Sequence, residues 1–130
     1  MCGNFGFLGQ RLPEDGDALL PSRAVEIFKT MGKETEIRGE QAGGAVVLAR
    51  DPSDRVVFVG HKIVNRKRQN LTRSLESAFS PIRQKASGSG AKPLDNAVMG
   101  AWHYRYATSS PPALIETHWH EWMPTREAEV

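Results

Sequence analysis

The sequence predicts an α+β domain, and three patterns lead to this prediction. Two short apolar runs at residues 45–49 and 56–59, rich in β-branched side chains, flank a turn and indicate a hairpin. Two other stretches repeat apolar residues at helical spacing, and strand-like stretches stand at the start of the chain and in its last third. A chain of 130 residues has the length of one domain with one core, so we expect a single domain over residues 1–130.

The opening third of the chain predicts the first strand and the first helix. Aromatic and aliphatic side chains stand among glycines over residues 3–9, which indicates a strand that another backbone approaches closely. Four apolar residues then recur at i, i+3, i+4 and i+7: Ala24, Ile27, Phe28 and Met31. With Ser22 as a candidate N-cap and Gly32 just past the last of them, the pattern predicts a helix over about residues 22–31.

The middle of the chain predicts a hairpin with largely buried strands, followed by a second helix. The hairpin turns at the Asp-Pro-Ser-Asp sequence of residues 51–54. A basic stretch over residues 62–73 then runs into Leu71, Leu75 and Phe79, which share one face of a helix. Because proline disfavours helical geometry in the residue before it, this helix is expected to end before Pro81.

The last third predicts a flexible loop and then a strand. Residues 86–93 are rich in glycine and serine and poor in apolar side chains, which is typical of a mobile linker. Residues 97–106 mix apolar and aromatic side chains and indicate a strand that brings Arg105 and Thr108 to its end.

Composition and charge limit the classes of function. The apolar fraction is 39%, the charged fraction 25% and the net charge +2, values that are ordinary for a soluble globular domain. Neither an apolar run long enough to span a membrane nor a signal peptide is present, and the single cysteine excludes an internal disulfide. We therefore expect a cytoplasmic-type domain, or one delivered from a larger polypeptide, that does not contact a membrane.

The single cysteine stands at position 2, directly behind the initiator methionine. Methionine aminopeptidases accept a small second residue, so processing would leave Cys2 as the first residue, with a thiol and an α-amine together. An α-amine has a reference pKa near ~8, so a large fraction of it is neutral at cellular pH. It is then able to take the thiol proton as a general base, and Cys2 is a candidate nucleophile.

Three stretches resemble, in order, those of the class II glutamine amidotransferases. They are Cys-Gly-Asn-Phe-Gly at residues 2–6, Arg-Gly-Glu-Gln-Ala-Gly-Gly at 38–44 and His-Tyr-Arg-Tyr-Ala-Thr at 103–108. Members of this family are N-terminal-nucleophile hydrolases that release ammonia from glutamine through a thioester. The resemblance implies their fold, a four-layer αββα sandwich of two antiparallel sheets. It also implies a synthase domain or chain that accepts the ammonia.

The resemblance assigns roles to residues of the second and third stretches. Arg105 is expected to bind the α-carboxylate of glutamine, because the guanidinium fork binds a carboxylate in a bidentate manner. Thr108 and Ser109 are expected to add contacts to the substrate. Arg38 and Gly39 are expected to support the nucleophile, where a positive charge would also favour the thiolate.

His103 has a structural role in the family, and its use as the base of a Cys-His dyad is the alternative. The sequence also departs from the family pattern. Asn4 occupies a position that is usually aliphatic, and Trp102 stands where a glycine commonly precedes the histidine. The family's oxyanion hole comes from an Asn-Gly pair farther along the chain, and this sequence contains no such pair. We therefore expect the domain to be partial at its C-terminal side or divergent.

Other interpretations remain open at this point. His118 and His120 share a face if they lie on a strand, but without companion ligands they predict neither a metal site nor a cofactor. The basic stretch is expected to be a solvated helix start; it lacks interleaved aromatic side chains, so nucleic-acid binding is not predicted. The alternative functions are a deamidase of protein or nucleotide amides and an inactive binding module.

Overall fold

The computed structural model describes residues 2–65, 70–77 and 79–106. This part of the chain is α+β, as the sequence predicts, with four strands and three helices. A single 3-10 turn, Pro13–Asp15, lies between the first strand and the first helix. In chain order the strands and helices are β1 (Gly3–Gln10), α1 (Ser22–Glu36), β2 (Ala42–Arg50), β3 (Val56–Val64), α2 (Leu71–Ser77), α3 (Phe79–Ser89) and β4 (Ala97–Arg105).

The four strands form one antiparallel sheet in the order β1-β4-β2-β3. β1 and β4, the first and last strands along the chain, are neighbours in the sheet, with Gly3 opposite Tyr104 and Gln10 opposite Ala97. On its other side β4 pairs with β2, which brings Ala42 opposite Arg105. The start of the chain, the start of β2 and the end of β4 therefore meet at one end of the sheet.

One face of the sheet carries the hydrophobic core. Trp102 on β4 lies at its centre, and its ring centroid is 5.3 Å from those of Phe5 on β1 and Phe28 on α1. Phe79 from α3 packs edge-on against Phe28, with ring centroids 4.9 Å apart. Residues of all three helices belong to this single buried cluster, so the helices cover the same face of the sheet.

The opposite face carries none of the described helices, and we call it the open face. It is arranged in rows that cross all four strands, since paired residues in a sheet point to the same side. An apolar row consists of two pairs, Leu8 with Met99 and Leu48 with Phe58, which adjoin one step beyond the last β2–β4 pair, Val47 with Gly100. Next to it, a small-residue row consists of Gly6, Ala101, Val46 and Gly60. A polar row, nearest the end of β4, consists of Asn4, His103, Gly44 and Lys62. At the two edges of the apolar row, Leu8 is 74% exposed and Phe58 65% exposed.

The hairpin is present, but the prediction that both of its strands are largely buried is wrong for β3. The pattern of β2 is buried almost throughout, whereas β3 is exposed at Val56 and Phe58 because it is an edge strand. Lys85 of α3 donates a hydrogen bond to the carbonyl oxygen of Gly60, at 2.8 Å. A lysine at this position discourages another strand from pairing with the edge of β3.

The first helix is longer than predicted. It continues through Gly32 to Glu36, so Gly32 is an interior residue of α1 rather than the residue after its end. Gly32 is buried, and a Cβ atom added there would lie 2.6 Å from Tyr104 Oη. The glycine is explained by this close approach between α1 and β4.

The second helix, α2, ends at Ser77, before Pro81 as predicted, but Phe79 belongs to a further helix, α3. Pro81 is the third residue of α3, in its first turn, where proline is tolerated. The loop predicted over residues 86–93 is helical as far as Ser89. Gly90, with φ of +69°, ends the helix, and the N–H of Ala91 bonds to Ala86 O at 2.8 Å. These are the features of a glycine-terminated helix C-terminus.

An ion pair between the partly exposed Arg23 and the buried Asp15 fixes the turn between β1 and α1. Arg23 donates to both carboxylate oxygens of Asp15, at 3.0 and 2.7 Å, and the N–H of Leu12 bonds to the same carboxylate at 2.8 Å. The Asp15 side chain is 2% exposed. The hydrogen bonds from Arg23 and Leu12 lower the pKa of Asp15 to about 2.

We therefore expect acid to destabilise the protein partly through Asp15. Because the folded-state pKa lies below the unfolded value of about 3.9, the stabilisation is complete above about pH 5 and is lost as the pH falls towards 2. Urea unfolding at pH 5.5 and pH 2.5 should show a smaller pH dependence in Asp15→Asn than in the wild type. The control variant Asp17→Asn, at an exposed position, should behave as the wild type. Equal pH dependence in wild type and Asp15→Asn would contradict this role.

Candidate active site

Cys2 lies at the end of the sheet where β1 begins and β4 ends. It is exposed and directly precedes Gly3, which pairs with Tyr104. Gly3 and Tyr104 form the last pair of the β1–β4 ladder, and one further step of the same register places Cys2, which precedes β1, opposite Arg105. Arg105 is the last residue of β4 and is 9% exposed. The predicted nucleophile and the predicted carboxylate-binding residue therefore lie at the same end of the sheet, on adjacent segments of the chain.

The segment between α1 and β2 packs against the same end of the sheet. A Cβ atom on Gly39 would lie 2.5 Å from the carbonyl carbon of Arg105, so only glycine allows this approach. A Cβ atom on Gly3 would lie 3.4 Å from Arg38 Cβ. The N–H of Gln41 donates to Arg105 O at 3.2 Å. Residues 38–41, which directly precede β2, therefore pack against the start of β1 and the end of β4.

A hydrogen-bonded network behind this end of the sheet holds α1, α2 and β4 together. Tyr104 Oη and Thr72 Oγ1 are 2.9 Å apart, and Thr72 donates to Glu36 Oε2 at 2.9 Å. The other Glu36 oxygen accepts from the N–H of Leu71. Burial raises the pKa of Tyr104 to about 12, so the phenol stays protonated at neutral pH. The strand that carries Arg105 is therefore anchored from the core side.

His103 and Asn4 face each other across β1 and β4 on the open face. His103 Nδ1 and Asn4 Oδ1 are 2.5 Å apart. Because the Asn4 oxygen can only accept, His103 carries a proton on Nδ1. Sequence reasoning identified Asn4 only as a departure from the family pattern. The signal for a larger role was its position two residues after Cys2, on the same face of a strand.

A groove of about 340 Å³ lies on the open face beside this pair. Gly6, Ala101 and Val46 of the small-residue row form its floor, and Asn4 and His103 form its polar end. The small side chains of this row leave a space between the larger side chains of the apolar row and the polar row. The groove therefore combines an apolar surface with two polar groups near the start of β1.

A second, larger groove of about 720 Å³ is lined by residues of the β1–α1 connection, the end of α3 and the segment before β4. Its charged groups have mixed signs: Arg11, Arg83 and Lys92 with Asp17 and Asp95. It includes none of the predicted site residues.

Several predicted residues lie outside the described part of the chain. These are Thr108 and Ser109, expected to contact substrate, and the His118 and His120 pair. Of the basic stretch, Lys62 lies on β3, Arg73 is exposed on α2, and residues 66–68 are outside the described ranges. The expected solvated helix start therefore applies to Arg73 and not to Lys62.

Comparison with known proteins gives no family assignment. No family model matches the chain, and no curated protein matches it significantly. In the described residues, no helix combines the length and the apolar character needed to cross a membrane.

Proposed function

We propose that this protein is a glutamine amidohydrolase of the class II amidotransferase type, with Cys2 as its N-terminal nucleophile once Met1 is removed. One observation carries the proposal. Three stretches that are far apart in the sequence, in their described parts at residues 2–6, 38–44 and 103–106, converge at one end of the sheet through Gly3, Gly39 and Arg105. Fold stability alone does not require the single cysteine and a buried arginine to be neighbours there.

The chemistry follows from a thiol and an amine on one residue. The α-amine takes the thiol proton, the sulfur attacks the side-chain amide carbon of glutamine, and the carbonyl electron pair moves onto oxygen. As that oxyanion collapses, the carbon–nitrogen bond breaks and the protonated amine gives its proton to the leaving nitrogen, which departs as ammonia. Water then attacks the thioester, glutamate leaves and the thiol is restored.

Arg105 is proposed to hold the α-carboxylate of the substrate. An arginine binds a carboxylate through two parallel N–H···O bonds, which orients the ligand as well as attracting it. At the end of β4, Arg105 is held by its backbone contacts with Gln41 and Gly39, so its Cα position is fixed relative to Cys2. A fixed separation between the carboxylate site and the nucleophile would select an amino acid of glutamine's length.

We also propose that the sheet is one of the two inner layers of an αββα sandwich. Its helices all lie on one side, and the open face displays an apolar row next to a small-residue row. Exposed apolar side chains such as Leu8 and Phe58 are those that a second sheet would bury.

Ammonia release from free glutamine tests the function. We expect the processed protein, with Met1 removal verified by intact mass, to release ammonia, and Cys2→Ala to lose at least about 10³-fold in rate because the thioester cannot form. Arg105→Lys keeps the charge but loses the planar fork, so its main effect should be a higher KM for glutamine.

Two results would reject the function. One is a Cys2→Ala variant that releases ammonia at the wild-type rate. The other is a processed wild-type protein that is inert towards glutamine but removes ammonia from amides in a macromolecule, which would indicate the deamidase instead. A sample that retains Met1 is the matched control, since its α-amine is absent from Cys2 and it should be inactive.

A further inference from the structure

We propose that the side-chain amide of Asn4 is the oxyanion donor of this active site and that His103 positions it. This inference rests on the proposed function, because an oxyanion forms only if Cys2 attacks a carbonyl carbon. It assigns a catalytic role to a residue that lies outside the family's own oxyanion element.

The first support is the placement of Asn4 on the strand. Cys2 directly precedes β1 and Asn4 is the second residue of that strand. Alternate residues of an extended chain direct their side chains to the same face, about 7 Å apart along the chain. In a tetrahedral intermediate on Cys2, the oxygen lies two bonds beyond the sulfur. The gap between the two side chains therefore has the length needed for a hydrogen bond from the Asn4 amide to that oxygen.

The second support is the orientation of the amide. Asn4 Oδ1 accepts a hydrogen bond from His103 Nδ1, so the oxygen end of the amide is directed at β4. The two end atoms of an amide point in different directions from the carbon between them, and Nδ2 is therefore turned away from the imidazole. Among the described residues, Nδ2 donates to no other group, and both of its N–H bonds are available to a ligand.

The third support is the setting of this pair. Asn4 is exposed and forms the polar end of the groove whose floor is Gly6, Ala101 and Val46. Asparagine is disfavoured within a strand. The adjacent small-residue row offers it little side-chain surface, so packing gives no reason for an asparagine at position 4. A neutral N–H donor, by contrast, stabilises a developing negative charge without introducing a charge into the resting site.

Replacing Asn4 tests the role directly. We expect Asn4→Ala and the isosteric Asn4→Asp to lower kcat for ammonia release by about 10²–10³-fold, the loss typical of a missing oxyanion donor, with KM changed less than about three-fold. Asn96→Ala, at an exposed position just before β4 at the other end of the sheet, should keep the wild-type kcat.

Alkylation of Cys2 by iodoacetamide separates this role from a structural one. Displacement of iodide passes through no oxyanion, so Asn4→Ala should be alkylated at the wild-type rate while its formation and hydrolysis of the glutamyl thioester, followed by acid quench and intact mass, are both slow. If alkylation and ammonia release fall together, Asn4 supports the thiol or the fold and the inference is overturned.

A double-variant comparison tests the positioning role of His103. His103→Ala should lower kcat, because Asn4 loses the hydrogen bond that orients it, but should add no further loss in an Asn4→Ala background. Fully additive losses would show that His103 acts independently of Asn4. An Asn4→Ala variant that retains kcat while Cys2→Ala is inactive would overturn the oxyanion role and leave the proposed function intact. Wild-type activity in Cys2→Ala would reject both.

Discussion

Replacing Trp102 with alanine is expected to lower the free energy of unfolding by about 3–5 kcal/mol, the range for losing a large aromatic side chain from a core. Trp102 is 2% exposed and stacks on both aromatic residues of β1, with ring centroids 5.3 Å from Phe5 and 5.7 Å from Phe7. Phe28 of α1 packs on it as well. Removing this ring leaves a cavity where β1, β4 and α1 meet. Urea unfolding followed by far-UV circular dichroism measures the loss.

Trp102→Phe is the matched control for the lost ring. Trp102 Nε1 is buried and has no hydrogen-bond partner in the described chain, which is a cost that phenylalanine does not have. We therefore expect Trp102→Phe to lose less than half as much stability as Trp102→Ala. An alanine variant that unfolds at the wild-type urea concentration would show that the aromatic cluster does not hold the sheet to its helices.

The predictable part of the fold is the part governed by local periodicity. The spacing of Ala24 and Phe28 predicts α1, and the runs on either side of residues 51–54 predict the β2–β3 hairpin. Sheet order is different, because the pairs of β1 and β4 are 87 to 101 residues apart, from Gln10–Ala97 to Gly3–Tyr104, and no local pattern encodes that pairing. The exposure of β3 follows from this order, since an edge strand is known only once its neighbours are known.

Glycine is ambiguous in a sequence, because one residue type serves opposite purposes. Gly32 resembles a helix end, yet it lies inside α1, where Tyr104 leaves no room for a side chain. The glycines and serines after Ala86 resemble a loop, yet residues 87–89 form the last turn of α3, and Gly90, with its positive φ, ends it. Distinguishing close approach from chain reversal requires the tertiary partner, which the sequence does not name.

The candidate site was predictable only where chemistry identifies a residue by type. Cys2 is singled out by its position, and Arg105 by its fit to a carboxylate. That the two face each other depends on the β1–β4 register, and that Gly39 packs on Arg105 depends on the β2 pairing. The position of Asn4 two residues after Cys2 is visible in the sequence, but the orientation of its amide depends on the hydrogen bond to His103, which is not.

Substituting Gly32 with alanine is expected to destabilise the protein by about 1–3 kcal/mol, the usual cost of overpacking a core. On helix propensity alone the same change should stabilise α1 by about 1 kcal/mol. The sign reverses because the added Cβ would lie 2.6 Å from Tyr104 Oη and 2.9 Å from Thr72 Cγ2. Tyr104 is fully buried and bonded to Thr72, so its ring has no space into which to move.

Tyr104→Phe provides the background that isolates this contact. Phenylalanine lacks the hydroxyl nearest to the new methyl group, so Gly32→Ala should cost at least about 1 kcal/mol less in Tyr104→Phe than in the wild type, a coupling typical of residues in contact. Four urea unfolding curves, for the wild type, both single variants and the double variant, measure it. Equal costs in both backgrounds would mean that Gly32 is required for a reason other than the approach of Tyr104 to α1.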